Sequence, residues 1–119
     1  MWNLLKYVWC HPLNEGGRLA ALWRVFRWQV ASRLMPGLIA LPYVGDTALF
    51  ASRGMTGATG NWYCGLHEVH EMAFVLHLLR PGEHFVDVGA NVGSYTVLAG
   101  GVGARVTAVE PIPATFTHL

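Results

Sequence analysis

The sequence predicts an α/β fold in which a parallel βαβ unit follows a helical N-terminal region. Two long segments carry apolar side chains every three or four residues, which is typical of helices. A different pattern follows in HFVDVGANVGSYTVLAGGVGARVTAVE: a β-rich run, a glycine bend, a short helical segment and a second β-rich run. Strand, helix and strand in this order imply a parallel strand pair joined by a right-handed crossover.

The composition indicates one small domain with much apolar surface to bury. The chain has 119 residues, of which 53% are hydrophobic and 13% charged, and its formal net charge is +1. These values exclude a disordered chain and a nucleic-acid-binding protein that relies on a basic surface. The charged fraction is well below the roughly 25% of typical soluble domains. We therefore expect the chain to bury surface against a second protomer in a homo-oligomer, a membrane surface or further residues.

Several features favour a cytoplasmic protein. Cys10 and Cys64 form neither a CxxC pair nor a disulfide framework, as expected in a reducing compartment. The N-terminus lacks a basic start and a small-residue cleavage site, so we predict no signal peptide. The longest charge-free piece of the most apolar region, residues 34–45, contains two prolines. It is shorter than the ~20 residues that a membrane helix needs, so we predict no transmembrane span.

Residues 17–35 predict a helix that Pro36-Gly37 ends. We expect its apolar stripe to face the core and its arginines to be solvated; a basic, tryptophan-bearing helix on a membrane surface is the alternative. Residues 38–45 predict an extended link. We therefore divide the chain into a helical N-terminal extension, residues 1–45, and the start of the main domain, residues 46–119. The stripe repeats at intervals of three and four: Leu19, Leu22, Trp23, Phe26 and Val30.

A hairpin is predicted within residues 46–65. Leu49 and Phe50 indicate its first strand, and Trp62 and Tyr63 indicate its second. Three glycines between these pairs indicate turns: Gly54, Gly57 and Gly60.

Residues 66–80, LHEVHEMAFVLHLLR, predict the second long helix, which Pro81-Gly82 ends. Glu68 and Glu71 lie in its first turns, as the helix dipole prefers. We expect structural roles for Tyr63 and for these two acids, with contact to a ligand of the following unit as the alternative.

Cys64, His67 and His70 are spaced at threes and invite a metal-site interpretation. However, HEVHE is not the HExxH motif, because its histidines are three residues apart and not four. A mixed cysteine–histidine site also needs a fourth ligand. We therefore predict no metal site and place these side chains on a helix surface.

The βαβ unit contains Asp87-x-Gly89-x-x-x-Gly93, and Glu110 ends its second strand. Gly89 allows a sharp turn and leaves no side chain between the loop and a ligand. Gly93 lets the helix begin close to the strand. Parallel sheets bind ligands at the carboxyl ends of their strands, and Glu110 follows Gly89 by the ~20 residues at which an acid reaches ribose hydroxyls. Asp87, at the end of a buried strand, needs a partner, and a cationic amine is a suitable one.

The loop excludes two other nucleotide sites. The chain has no GxxxxGK[ST] motif and therefore no P-loop. Asn91 occupies the middle glycine position of G-x-G-x-x-G, which argues against a nicotinamide dehydrogenase. The loop favours a ligand with an amino acid moiety. Two structural alternatives stay open: an ordinary tight turn between strand and helix, and a helix cap made by Asn91.

These residues resemble a known family. VDVGANVGSYTVLA followed by AVEP is similar to the first motif and the following acidic motif of class I S-adenosylmethionine-dependent methyltransferases. The GAN-x-G form, with GLHE and LLRPGEHFVDVGANVGSYT before and around it, resembles the FkbM family over residues 65–113. The resemblance implies a Rossmann-like class I methyltransferase fold. It also implies methyl transfer from S-adenosylmethionine to oxygen of a small molecule or glycan.

The resemblance assigns the cofactor contacts but no catalytic residue. It implies that Glu110 receives the ribose hydroxyls and that the loop lines the methionine end. Family members continue through further strands, so we expect this chain to hold the N-terminal portion, truncated after the first βαβ unit. The alternative is an inactive α/β fragment that acts as a cofactor-binding or interaction module. The predicted cofactor-binding residues are Asp87, Gly89, Ala90, Asn91, Gly93 and Glu110.

Overall fold

The computed structural model describes residues 1–119 and has an α/β architecture of six α-helices and four strands. Strands β1 and β2 form an antiparallel hairpin, and β3 and β4 form a separate parallel pair. A short 3₁₀ turn at Pro12–Asn14 joins the first two helices. In chain order the elements are α1 (Trp2–Cys10), α2 (Arg18–Leu34), β1 (Ile39–Pro42), β2 (Ala48–Ala51), α3 (Thr56–Cys64), α4 (Val69–Leu78), β3 (His84–Val88), α5 (Ser94–Val102), β4 (Arg105–Val109) and α6 (Pro113–Phe116).

The βαβ unit predicted from the sequence is confirmed as β3, α5 and β4. Val88 lies opposite Val109 in the parallel register, so both strands end at the same edge of the sheet. Gly89 and Glu110 directly follow these two strands. The register alone therefore places the glycine loop beside the acid.

Helix α2 confirms the predicted helix over 17–35, but the predicted orientation of its apolar stripe is wrong. Trp23, which belongs to that stripe, is 58% exposed, whereas Trp28 is only 5% exposed. The buried face of α2 packs against α1 and α3. The buried residues of α2 are Ala21, Val25, Trp28 and Ser32.

The second predicted strand, near residues 62–63, is also wrong, because this segment is helix α3. The predicted hairpin forms instead between β1 and β2. Gly54 does lie in a turn, with φ of 97°. Gly60 has another function: a Cβ there would lie 2.7 Å from Nδ1 of His67, so glycine permits close packing within a helix. The glycines of α3 were predicted to form turns, but they lie in a helix and leave room for a neighbouring side chain to pack closely.

Helix α4 confirms the predicted second long helix over a shorter span. The predicted division between residues 45 and 46 falls in the turn between β1 and β2. The main core combines side chains from both sides of that division. None of the helices has the length and apolar character needed to cross a bilayer. The core residues are Val8, Ala21, Val25, Trp28, Leu41, Leu49, Ala51, Ala58, Tyr63 and Cys64.

A tryptophan pair on α2 tests the orientation of this helix. We expect Trp28→Ala to lower the free energy of unfolding by about 3–5 kcal/mol, because it empties a packed core position. Trp23→Ala should lower it by only about 1 kcal/mol or less, because that side chain is mostly exposed and loses a surface stack on Phe26. Urea unfolding followed by circular dichroism measures both. Equal costs would contradict the orientation described here.

Candidate functional site

The loop after β3 folds back onto the end of β4. The backbone N–H groups of Gly89 and Ala90 both donate to the carbonyl oxygen of Val109, at 2.7 and 3.1 Å. Gly89 has φ of 80°, a region that favours glycine. A Cβ at Gly89 would meet no heavy atom within 4 Å, so the space above the loop is open. The loop therefore presents bare backbone to a ligand at the carboxyl end of the parallel strands.

The carboxylate of Glu110 fixes the middle of this loop. Its Oε2 accepts the N–H of Asn91 at 2.8 Å, and its Oε1 accepts the N–H of Ile112 at 2.9 Å. Asn91 is held at φ of 52° and is the only non-glycine residue with positive φ. An ionised carboxylate has about four acceptor positions, so each oxygen retains one for a ligand hydroxyl. Glu110 can hold the loop and a diol at the same time.

Asp87 lies at the other side of the loop and is only 8% exposed. Its Oδ2 accepts the hydroxyl hydrogen of Thr96 at 2.6 Å, which ties the end of β3 to the first turn of α5. Its Oδ1 accepts no hydrogen bond from the protein. A nearly buried carboxylate with one free oxygen is a suitable partner for a ligand cation.

Two cavities meet at the loop. The Asp87 cavity, of about 350 Å³, lies between the loop, α3, the α3–α4 link and the start of α5. The Glu110 cavity, of about 310 Å³, lies between the loop and the segment that follows β4. Gly89 and Asn91 line both. An elongated ligand lying across these two residues would occupy both cavities.

The structure brings five of the six predicted residues to these cavities. Asp87, Gly89, Ala90 and Asn91 line the first, and Glu110 lines the second. Gly93 lines neither, so the predicted direct contact of Gly93 with a ligand has no support in the geometry.

Gly93 shapes the loop instead of lining it. It has φ of 78°, and its N–H donates to the carbonyl of Ala90 at 2.8 Å. It is also the N-cap of α5 and makes no side-chain cap hydrogen bond. The alternative in which the side chain of Asn91 caps this helix is therefore wrong.

Asn61 and Ser94 also belong to the site, although no sequence motif marked them. Asn61 is 1% exposed; its Nδ2 donates to Oγ of Ser94 at 3.0 Å, and its Oδ1 accepts the N–H of His67 at 2.7 Å. This amide joins α3, the α3–α4 link and α5 on one wall of the Asp87 cavity. The polar start of the otherwise apolar helix, Ser94-Tyr95-Thr96, was the available signal for this wall.

Tyr95 and Glu68 form the rim of the same cavity. The hydroxyl of Tyr95 donates to Oε2 of Glu68 at 2.8 Å. Burial raises the pKa of Tyr95, and the hydrogen bond and charge of Glu68 and the charges of Glu71 and Asp87 raise it further. Tyr95 therefore stays protonated at neutral pH, and its single hydroxyl hydrogen is the one that it donates to Glu68. Neither Tyr63 nor Glu71 lines the cavity.

The hydrogen bonds of His67 define which of its ring nitrogens carries the proton. The hydroxyl of Tyr7, which is 60 residues away in the chain, lies 2.8 Å from both Nδ1 and the main-chain oxygen of His67. A carbonyl oxygen only accepts, so it takes the single hydroxyl proton of Tyr7. Both contacts are satisfied when Nδ1 donates to the Tyr7 oxygen, and we infer this tautomer, with the lone pair of neutral His67 on Nε2. Burial, followed by Cys64 and Glu68 nearby, raises the pKa of Tyr7 to about 12, so this phenol stays protonated.

Cys64 and the histidines near α4 do not form a cluster of metal ligands. No group of three or more histidine, cysteine or acidic side chains is close enough to hold a metal ion. Cys64 is buried, so its predicted place on a helix surface is wrong, and burial raises the pKa of its thiol.

Comparison with protein-family models, with curated proteins and with solved structures found no match to this chain. Functional inference therefore depends on the residues of the loop and on the two cavities beside it.

Removing the charge of Glu110 tests its contact with the loop. Glu110→Gln leaves one acceptor oxygen and removes the charge, so we expect the Asn91 or Ile112 amide to exchange about tenfold faster or more. Hydrogen exchange followed by NMR measures both amides. Glu83→Gln is the matched control, because Glu83 accepts the N–H of Arg80 at 2.6 Å away from the loop. Unchanged exchange in Glu110→Gln would contradict the contact.

The tautomer of His67 is directly measurable by long-range ¹H–¹⁵N NMR. In the wild-type chain we expect the proton of neutral His67 on Nδ1. Tyr7→Phe removes the acceptor for this proton, so the Nε2-protonated tautomer should appear. Tyr43→Phe removes a hydroxyl whose one hydrogen bond is to Sδ of Met72, and it should have no effect on the tautomer of His67. A wild-type spectrum with the proton on Nε2 would refute the assignment.

Proposed function

We propose that this chain binds S-adenosylmethionine across Gly89 and Asn91 and transfers its methyl group to oxygen of a small molecule or glycan in the cytoplasm. The observation that carries the proposal is the meeting of two cavities at this loop, one with Asp87 and the other with Glu110. The resemblance of residues 65–113 to the FkbM family supports the same assignment. Under this proposal, β3, α5 and β4 are the first unit of a Rossmann-like class I methyltransferase fold.

The amino acid end of the ligand is assigned to the Asp87 cavity. A methionine moiety carries an ammonium group, and Oδ1 of Asp87 is the free anionic acceptor there. Low solvent access strengthens such a pair because water screens it less. Thr96 occupies the other oxygen and fixes the direction of the carboxylate. The residues present are therefore compatible with this end of the ligand.

The nucleoside end is assigned to the Glu110 cavity. Each carboxylate oxygen of Glu110 retains an acceptor position after binding one backbone N–H, which suits two neighbouring ribose hydroxyls. The Glu110 carboxylate also sets the conformation of Asn91. Binding of the ribose to Glu110 is therefore coupled to the conformation of the loop, which contacts the middle of the ligand.

S-adenosylmethionine, when bound, supplies an electrophilic methyl group on a sulfonium. Transfer to a hydroxyl depends strongly on proximity and alignment, which the walls of the Asp87 cavity would provide. His67 lines this cavity, and its Nε2 lone pair is free to accept the proton that the attacking hydroxyl loses. Tyr95 donates its hydroxyl hydrogen to Glu68 and forms part of the rim of this cavity.

A specific observation favours a second candidate, a cofactor-binding or interaction module without catalysis. Val86 and Val88 on β3 and Val109 on β4 are exposed, although parallel sheets are normally covered on both faces. A partner protein that packs on this sheet would cover these exposed valines. The two candidates differ in turnover: incubation with labelled S-adenosylmethionine and a panel of monosaccharides and phenols yields S-adenosylhomocysteine only if the chain is an enzyme.

Ligand affinity tests the proposed site. We expect the wild-type chain to bind S-adenosylhomocysteine, and Asp87→Asn and Glu110→Gln each to raise its Kd about 10-fold or more, because each removes a charge-assisted hydrogen bond. Isothermal titration calorimetry measures these constants, and circular dichroism confirms folding. Glu83→Gln is the charge-matched control and should keep the wild-type Kd. Absence of binding, or the same Kd in all four chains, would rule out this site.

A further inference from the structure

Helix α2 is apolar on two opposite faces. Its inner face packs into the core through Val25 and Trp28. Its outer face is a continuous stripe at helical spacing that points to solvent. A contiguous exposed apolar stripe rimmed by polar side chains marks an interaction surface, so we expect a partner to cover the outer face. The outer face of α2 consists of Leu19, Trp23, Phe26, Val30 and Leu34.

The charge distribution of the chain indicates which kind of partner would cover the outer face of α2. Residues 1–34 contain five of the eight lysines and arginines but only one of the seven acids, Glu15. This region therefore carries a formal charge of +4, and residues 35–119 carry −3. Arg27 and Arg33 are exposed at positions that flank the outer face of α2 on its two sides. An apolar stripe bordered by arginines is complementary to a surface that has an anionic outer layer and an apolar layer beneath it.

Aromatic side chains strengthen this assignment. Trp23 and Phe26 stack with ring centroids 5.1 Å apart in the middle of the outer face. The neighbouring helix α1 adds exposed Trp2 and Trp9. With Lys6 and two leucines these tryptophans line a mostly apolar groove of about 350 Å³. Tryptophan is enriched where protein surfaces meet the headgroup region of a bilayer.

We propose that the outer face of α2, together with the tryptophans of α1, docks on the surface of an anionic lipid bilayer. The apolar side chains enter the boundary between headgroups and acyl chains, and Lys6, Arg27 and Arg33 contact anionic headgroups. A two-fold contact between copies of this chain is disfavoured, because it would bring the same arginines of both copies together. Docking through this face is independent of the methyl-transfer proposal.

The test is flotation of the full chain with vesicles. We expect it to float with vesicles of phosphatidylcholine containing about one third phosphatidylglycerol, and at least tenfold less with phosphatidylcholine alone, given about fivefold per cation near an anionic surface. Arg27→Gln/Arg33→Gln should weaken the partition coefficient about 20-fold. Trp23→Ser/Phe26→Ser should weaken it about 10-fold or more through lost apolar contact.

The control is Phe74→Ser/Leu78→Ser, an apolar pair on α4 with similar exposure, 63% and 62%, that lies outside this face. It should float like the wild-type chain. Three results would overturn the proposal: no flotation with anionic vesicles, an equal loss in the α4 control, or a dimer in light scattering that Trp23→Ser/Phe26→Ser converts to monomer. The last result would assign the face to a second copy of the chain.

Discussion

The pair of hydrogen bonds from Asn91 and Ile112 to the carboxylate of Glu110 is the constraint on which the candidate site depends. Asn91 adopts a positive φ that a non-glycine residue rarely adopts, and a charge-assisted bond stabilises it there. The same carboxylate ties the loop to the segment after β4. The loop between the two cavities is therefore held by one side chain, whose position is set by the parallel register of β3 and β4.

The N-terminal helices contribute to the site through a chain of contacts. Tyr7 on α1 orients His67, and the backbone of His67 is held in turn by Asn61 of α3. Gly60 provides the space in which the His67 ring lies against α3. A change in the packing of α1 would therefore reach the Asp87 cavity through His67, even though α1 lines no part of that cavity.

Sequence patterns predicted the βαβ unit and five of the residues that line its cavities, because their positions follow from strand order and local glycine geometry. They did not predict which face of α2 is buried, because both faces are apolar and the choice depends on which neighbours pack there. The segment around Gly57 and Gly60 was predicted as turns and strand, because glycine permits either a turn or close helix packing. The contact between Tyr7 and His67 spans 60 residues and has no local signature.

An NMR titration of the uniformly ¹⁵N-labelled chain with S-adenosylhomocysteine would test whether one ligand bridges both cavities over this loop. We predict that amide shift changes concentrate at Gly89, Asn91 and Ile112, and that nuclear Overhauser contacts link ribose protons of the ligand to Glu110. Amides on the outer face of α2 should not move. Shift changes confined to one cavity, or located away from the loop, would show that no single ligand bridges the two cavities.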